Sequence, residues 1–308
     1  MTSILVTGSS GFVGRALCDH LEIDGYSVTR AVRSNPATNE ILLGNIGPET
    51  DWHKALANCE YVVHLAARVH IMHDAAIDPL LKFRSVNTEG TLNLARQAAH
   101  YGVRRLVYLS SAKVNGENGT FVETDLPSPQ DPYAISKLEA EQGLRELARK
   151  TDMDVVILRP PLVYGPGVGA NFLRLMHLIN RGLPLPFGAV SNRRSLVYLG
   201  NLVDAISVCL SHPAAAGKTY FVSDGEEVST PDLIRRLATA LEQNPKLLRI
   251  PLGPVKLAGR LIGKSREIER LVGSLTMNCG SIRRELDWTP PYSMQEGIAA
   301  TARWFRKQ

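Results

Sequence analysis

Cysteine is scarce and scattered in this 308-residue chain. Cys18, Cys59, Cys209 and Cys279 form no C-x-x-C pair and have no histidine at zinc-ligand spacing. Neither a disulfide framework nor a metal site is expected, and a reduced, cytoplasmic setting fits. The chain enters Ile4-Leu5-Val6 with no charged leader or cleavage site, and no run approaches the roughly 18 apolar residues of a membrane helix, so secretion and membrane spanning are not expected. Internal repeats, low-complexity tracts and long charge runs are missing as well. With 44% hydrophobic and only 21% charged residues, disorder is excluded as the dominant state. The length suits one long α/β domain or one domain with a smaller partner.

Acidic residues fall short of basic ones, 30 against 35, for a net charge of +5. Such a balance invites a polyanionic partner, so the location of the excess matters. Lys246 to Lys307 holds 12 Lys and Arg against 5 Asp and Glu, whereas the rest of the chain holds 23 against 25. No aromatic-rich basic stripe accompanies this C-terminal charge. A nucleic-acid partner is therefore not expected, and a small anion such as a diphosphate is the better match.

Short runs rich in β-branched residues at Ile4-Val6, Val28-Val32, Tyr61-Leu65, Arg105-Leu109 and Val155-Leu158 read as strands. Helical patterns lie near Phe12-Asp24, Pro79-His100 and Ala134-Lys150. This alternation predicts an α/β fold whose parallel sheet is covered on both faces. After Leu158, glycines and prolines punctuate two loops, and a second lobe begins. Ser195-Leu199 and Thr219-Val222 read as strands returning to the sheet, before a helix capped by Ser229 or Thr230.

The first strand runs into Thr7-Gly8-Ser9-Ser10-Gly11-Phe12-Val13-Gly14, a turn of small residues at a helix N-terminus that suits a pyrophosphate. Then follow Tyr61-Val62-Val63-His64-Leu65-Ala66-Ala67, Asn87-Thr88-Glu89-Gly90-Thr91, Leu109-Ser110-Ser111, Tyr133-Ala134-Ile135-Ser136-Lys137 and Leu158-Arg159-Pro160. With this ordered set the chain resembles the extended short-chain dehydrogenase/reductase family, in its nucleotide-sugar epimerase and ketoreductase branch, over nearly its whole length. The resemblance implies a Rossmann-like doubly wound parallel sheet with a smaller, mostly helical C-terminal substrate lobe. The dinucleotide-binding part would span 1–168, rejoined by about 194–226, and the substrate lobe 169–193 and 227–308.

The resemblance also implies roles. Gly8, Ser10, Gly11, Phe12, Val13 and Gly14 would hold the dinucleotide, with Asn45 and Ile46 at the adenine and Leu65, Ala66, Ala67 and Pro160 along it. Asn87 would join these cofactor-binding residues, serving structurally or in proton relay. No acid ends the second strand to bind a ribose 2′-hydroxyl; Val32 and Arg33 stand there with Arg30 close by, so NADP(H) is preferred and NAD(H) is the alternative. Tyr133 and Lys137, four apart on one helix face, form an acid/base pair in which the ammonium lowers the phenol's pKa. Lys137 would also hold the nicotinamide ribose, and Ser111 would hydrogen-bond the substrate oxygen. His64, behind two valines, reads as a satisfied core histidine.

Relatives commonly read Ser-Ser-Ala-Thr or Ser-Ser-Ala-Ser where this chain has Ser110-Ser111-Ala112-Lys113. Lys113 brings a cation to the sugar pocket or its rim, and the lack of an Asp-Glu pair there argues against dehydration. Asn171, Phe187 and Arg194, with Arg193 beside it and Arg270 as a second cation, match positions that grip a nucleotide diphosphate. The expected partner is a nucleotide-diphosphate sugar, UDP-linked by resemblance, and relatives imply a homodimer. The first reading is an NADPH-dependent reductase of a UDP-4-keto-6-deoxy-hexose or hexosamine in surface-polysaccharide synthesis. The second is a UDP-glucose or UDP-N-acetylhexosamine 4-epimerase with retained NAD. A non-catalytic dinucleotide sensor is the weakest, because Ser111, Tyr133 and Lys137 are all in place.

Overall fold

A computed structural model describes residues 1–38, 40–69, 78–261, 263 and 265–308. The larger sheet uses β1 (Ser3–Thr7), β2 (Ser27–Val32), β3 (Glu40–Leu42), β4 (Tyr61–His64) and β5 (Arg105–Leu109). After β6 (Gly119–Phe121) come β7 (Asp154–Arg159), β8 (Leu162–Tyr164), β9 (Arg194–Tyr198), β10 (Thr219–Phe221), β11 (Glu227–Val228) and β12 (Leu275–Met277). Seven strands form one parallel sheet in the order β10-β7-β5-β4-β1-β2-β3. The strand order reverses at β1 and β4, which opens a crevice at their carboxyl ends.

The central strands are apolar throughout because helices cover both faces. Helix α1 (Phe12–Ile23) buries Leu17, Cys18 and Leu21 on one face, where Ile206 and Leu210 also pack. On the other face Trp52 joins Leu94, Ala98, Ala140 and Leu144. Arg105, 7% exposed within β5, donates to the carbonyls of Cys209, Leu210 and His212 and pairs with Asp154, so a buried cation closes the end of the helix Leu199–Ser211. The four cysteines are buried and unpaired; burial pushes the thiols of Cys59 and Cys279 up to about 11 and those of Cys18 and Cys209 up to about 12.

Two expectations need correction. The helix expected over Pro79–His100 runs as Pro79–Phe83, a wider π turn over Arg84–Gly90, and Thr91–His100, and the wide turn carries Asn87. The strand expected at Ser195–Leu199 does not return to the larger sheet. It is β9, which pairs with β8, β11 and β12 in a five-stranded second sheet, and Leu199 already begins a helix; β10 alone rejoins the larger sheet. Alternation along β9 explains this: Leu196 packs into the core of the smaller lobe while Val197 packs into that of the larger sheet. The smaller lobe adds helices at Ala170–Asn180, Thr230–Ala240 and Met294–Phe305, with Ser229 capping the second of these. Among the described residues no helix is long and apolar enough to cross a membrane.

Candidate active site

A cavity of about 1650 Å³ runs from the carboxyl ends of β1, β4 and β5 to the smaller lobe. That exceeds the roughly 300–1,000 Å³ of a single small-ligand pocket, so two ligands fit end to end. Every residue that the sequence assigns to catalysis, cofactor or substrate lines it except Asn87, Arg30 and Arg193.

The turn after β1 is built for close approach. Gly8 has φ +68°, and a Cβ there would stand 2.8 Å from the Ala66 nitrogen; one on Gly14 would stand 2.1 Å from the Gly8 carbonyl oxygen. Gly11 caps α1 without a side-chain bond, so the first N–H groups of the helix stay available to an anion. Ser9 ties the turn to β2 through a 2.9 Å bond to the Ala31 carbonyl. This cradle fits a dinucleotide pyrophosphate. Gly14→Ala should cost about 1–3 kcal/mol of stability by overpacking and weaken dinucleotide binding, as read by denaturant unfolding and fluorescence titration.

At the end of β2 the two arginines separate. Arg33 lines the cavity, whereas Arg30 is held by Asp19 at 3.1 Å and Glu22 at 3.0 Å on α1 and is not among the lining residues. The expectation of Arg30 near a 2′-phosphate is therefore corrected: two carboxylates on the neighbouring helix take its guanidinium.

Asn87 lies behind the cavity. Fully buried, it accepts from the Arg68 nitrogen at 2.8 Å and donates to the Arg68 carbonyl and to Ser136 Oγ, both at 3.0 Å. It clamps the loop carrying Leu65, Ala66 and Ala67, so cofactor contact by Asn87 is replaced by a positioning role. His64 is the core histidine that the sequence suggests: Thr7 Oγ1 at 2.6 Å and Thr91 Oγ1 at 2.9 Å satisfy its ring, and burial holds its pKa at about 3.

Ser111 and Tyr133 meet where β5 ends and the helix Pro132–Ala148 begins. That helix starts at Pro132, with Asp131 as its cap at 2.7 Å from the Ala134 nitrogen. Ser111 caps the short 3-10 turn Ala112–Val114 and hydrogen-bonds the Tyr133 side chain. Burial pushes the phenol up to about 12, Asp131 adds to this, and the Ser111 bond works the other way. Lys137 Nζ donates to the Leu109 carbonyl at 2.7 Å and sits 4.5 Å from the centre of the Tyr108 ring; burial lowers its pKa to about 7 against the pull of Glu141. The expected depression of the Tyr133 pKa is thus corrected: loss of solvent around the phenolate, with the Asp131 charge, outweighs the Ser111 hydrogen bond that favours it.

Sequence reasoning missed a buried network behind this pair. Glu141 accepts from Ser110 Oγ at 2.6 Å and from Arg159 Nε at 2.9 Å and Nη2 at 2.5 Å, while Arg159 Nη1 donates to Asn115 at 2.9 Å. Glu141 and Arg159 are 0% and 2% exposed. The signal was present in Leu158-Arg159-Pro160, where a charge ends an apolar strand.

At the far end, Asn171 and Phe187 line the cavity, and Arg194 donates to the carbonyls of Arg270 at 2.6 Å and Gly273 at 3.1 Å. Burial lowers the Arg194 pKa, and the charge of Arg270 adds to this. Two guanidiniums lining one cavity suit a polyanion such as a diphosphate. Arg193 turns outward and pairs with Glu227 at 2.7 Å, leaving Arg194 for the cavity. Arg174 also lines this end and was not picked out from the sequence.

Residues 4–223 match the family model described as the NAD dependent epimerase/dehydratase family. A UDP-glucose 4-epimerase of Vibrio cholerae is 47% identical, over 98% of this chain and 95% of its own. The solved structure of MoeE5 in complex with UDP-glucuronic acid and NAD superposes with a TM-score of 0.81 at 26% identity, covering 99% of each chain. The UDP-N-acetylglucosamine 4-epimerase from Bacillus cereus reaches 0.82 at 20% identity over 100% of this chain and 98% of its own, a likeness of fold. The chain belongs to the NAD dependent epimerase/dehydratase family and is an enzyme of the extended short-chain dehydrogenase/reductase type.

Proposed function

We propose that the chain is a UDP-hexose 4-epimerase that works with a retained nicotinamide dinucleotide. One observation carries the reading: the hydrogen-bonded Ser111 and Tyr133, with Lys137 one turn on, share a single cavity with the Arg194 and Arg270 pair. The 47% identity to the Vibrio cholerae UDP-glucose 4-epimerase supports it over the reductase expected first from the sequence. The dinucleotide, when bound along Gly8, Gly11, Ala66 and Lys137, supplies a hydride acceptor and donor at carbon 4.

The protein's own part is proton transfer and placement. As the phenolate, Tyr133 takes the proton from the carbon-4 hydroxyl and as the phenol returns it, and Ser111 fixes that oxygen. Lys137, titrating near 7 in the chain alone, supplies positive charge beside the phenol when protonated. Arg194, Arg270 and Asn171 hold the diphosphate end while the hexose turns over in the wide middle of the cavity.

The second reading, an NADPH-dependent 4-keto-sugar reductase, is favoured by Arg33 in the cavity and by the lack of an acid at the end of β2. One experiment separates the two. Nicotinamide extracted from the purified protein should be NAD, and UDP-glucose and UDP-galactose should interconvert without added cofactor. Dependence on added NADPH with net reduction of a UDP-4-keto-6-deoxy-hexose would reverse the order.

A further inference from the structure

Lys113 stands two residues after Ser111 and donates its backbone N–H to Ser111 Oγ at 3.3 Å; both residues line the cavity. Its ammonium contacts two carboxylates, Asp131 Oδ2 at 2.5 Å and Glu117 Oε1 at 2.8 Å. Asp131 is fixed by its second oxygen, which caps the helix carrying Tyr133. Glu117 lines the cavity and lies near enough to Arg194 to favour that guanidinium's charge. Its contact with Lys113 ties it to the Ser111 end of the cavity, and its charge is felt at Arg194 on the diphosphate end.

Of these three groups Lys113 and Glu117 line the cavity, so the ammonium that a sugar would meet there is already held by a carboxylate of the chain. A free lysine there would welcome an acidic sugar, but here a substrate carboxylate would have to displace Glu117 or sit beside it, a like-charge contact. We propose that the Asp131, Lys113 and Glu117 cluster is a specificity filter that admits neutral hexoses and rejects hexuronic acids, with Glu117 as the residue that imposes the rejection. The inference rests on the nucleotide-sugar reading above. It sets this chain apart from MoeE5, whose solved complex holds UDP-glucuronic acid.

The test is calorimetric binding of UDP, UDP-glucose and UDP-glucuronic acid to the full chain with NAD added. The unsubstituted protein should bind UDP-glucose at least about ten-fold tighter than UDP-glucuronic acid, and Glu117→Gln should narrow that ratio by about ten-fold through a gain for the acidic sugar. Lys113→Met, which removes the cation that both carboxylates share, should widen it. Equal binding of the two sugars by the unsubstituted protein, or an unchanged ratio in Glu117→Gln, overturns the filter while UDP binding keeps the nucleotide-sugar reading. Binding of none of the three removes that reading and the filter together.

Discussion

Tyr133→Phe should lower turnover by about 10²–10⁴-fold, the usual span for loss of a positioned proton donor, and leave dinucleotide binding in place. The change removes one oxygen from a side chain whose ring already packs edge-on against Phe83 with centroids 6.2 Å apart, so the helix start has no reason to move. The lost group is the one that Ser111 holds at the end of β5. Chromatographic assay of UDP-sugar interconversion gives the rate, and absorbance of the retained nicotinamide gives the binding. A rate near that of the unsubstituted protein would take Tyr133 out of the mechanism, whichever way the choice between epimerase and reductase falls.

The second large effect concerns stability. Glu141→Ala should destabilise the fold by about 3–5 kcal/mol, because it strands Arg159 as an unpaired cation where water cannot reach it. The loss exceeds that of the pair's own attraction, since the charge left behind keeps its desolvation penalty. Joint replacement, Glu141→Leu with Arg159→Met, should recover much of it, which denaturant unfolding of the single and double variants would read directly. If Glu141→Ala unfolds at the same denaturant midpoint as the parent, the network does not bear on stability. The exposed Lys150 and Glu146 pair provides the control, as its removal should leave the midpoint where it is.

The larger sheet, β3 apart, was legible because its strands carry apolar, β-branched cores and are separated by helices with their own periodicity; β1, β2, β4, β5 and β7 lie within a residue or two of the runs read from the sequence. The second sheet was not. Its strands β6, β8, β11 and β12 are two or three residues long and come from segments far apart, so no window holds a pattern. The site divides in the same way. Glycines and the Tyr133 and Lys137 spacing are local signals. The pairing of Arg159 with Glu141 and the two carboxylates on Lys113 depend on the folded path, which also decided that Arg30 faces α1 while Arg33 faces the cavity.

The alternation along β9 has a mechanical consequence. Because neighbouring residues of that strand are embedded in different cores, Leu196 in one and Val197 in the other, the two lobes share a structural member rather than a flexible joint. Swinging them apart like a clamshell would pull one side chain out of its packing and break the ladder to β8. Passage of a bulky ligand in or out therefore falls to side chains and segments at the mouth, while the packing of β9 sets the spacing between the Ser111 and Tyr133 end and the arginine end.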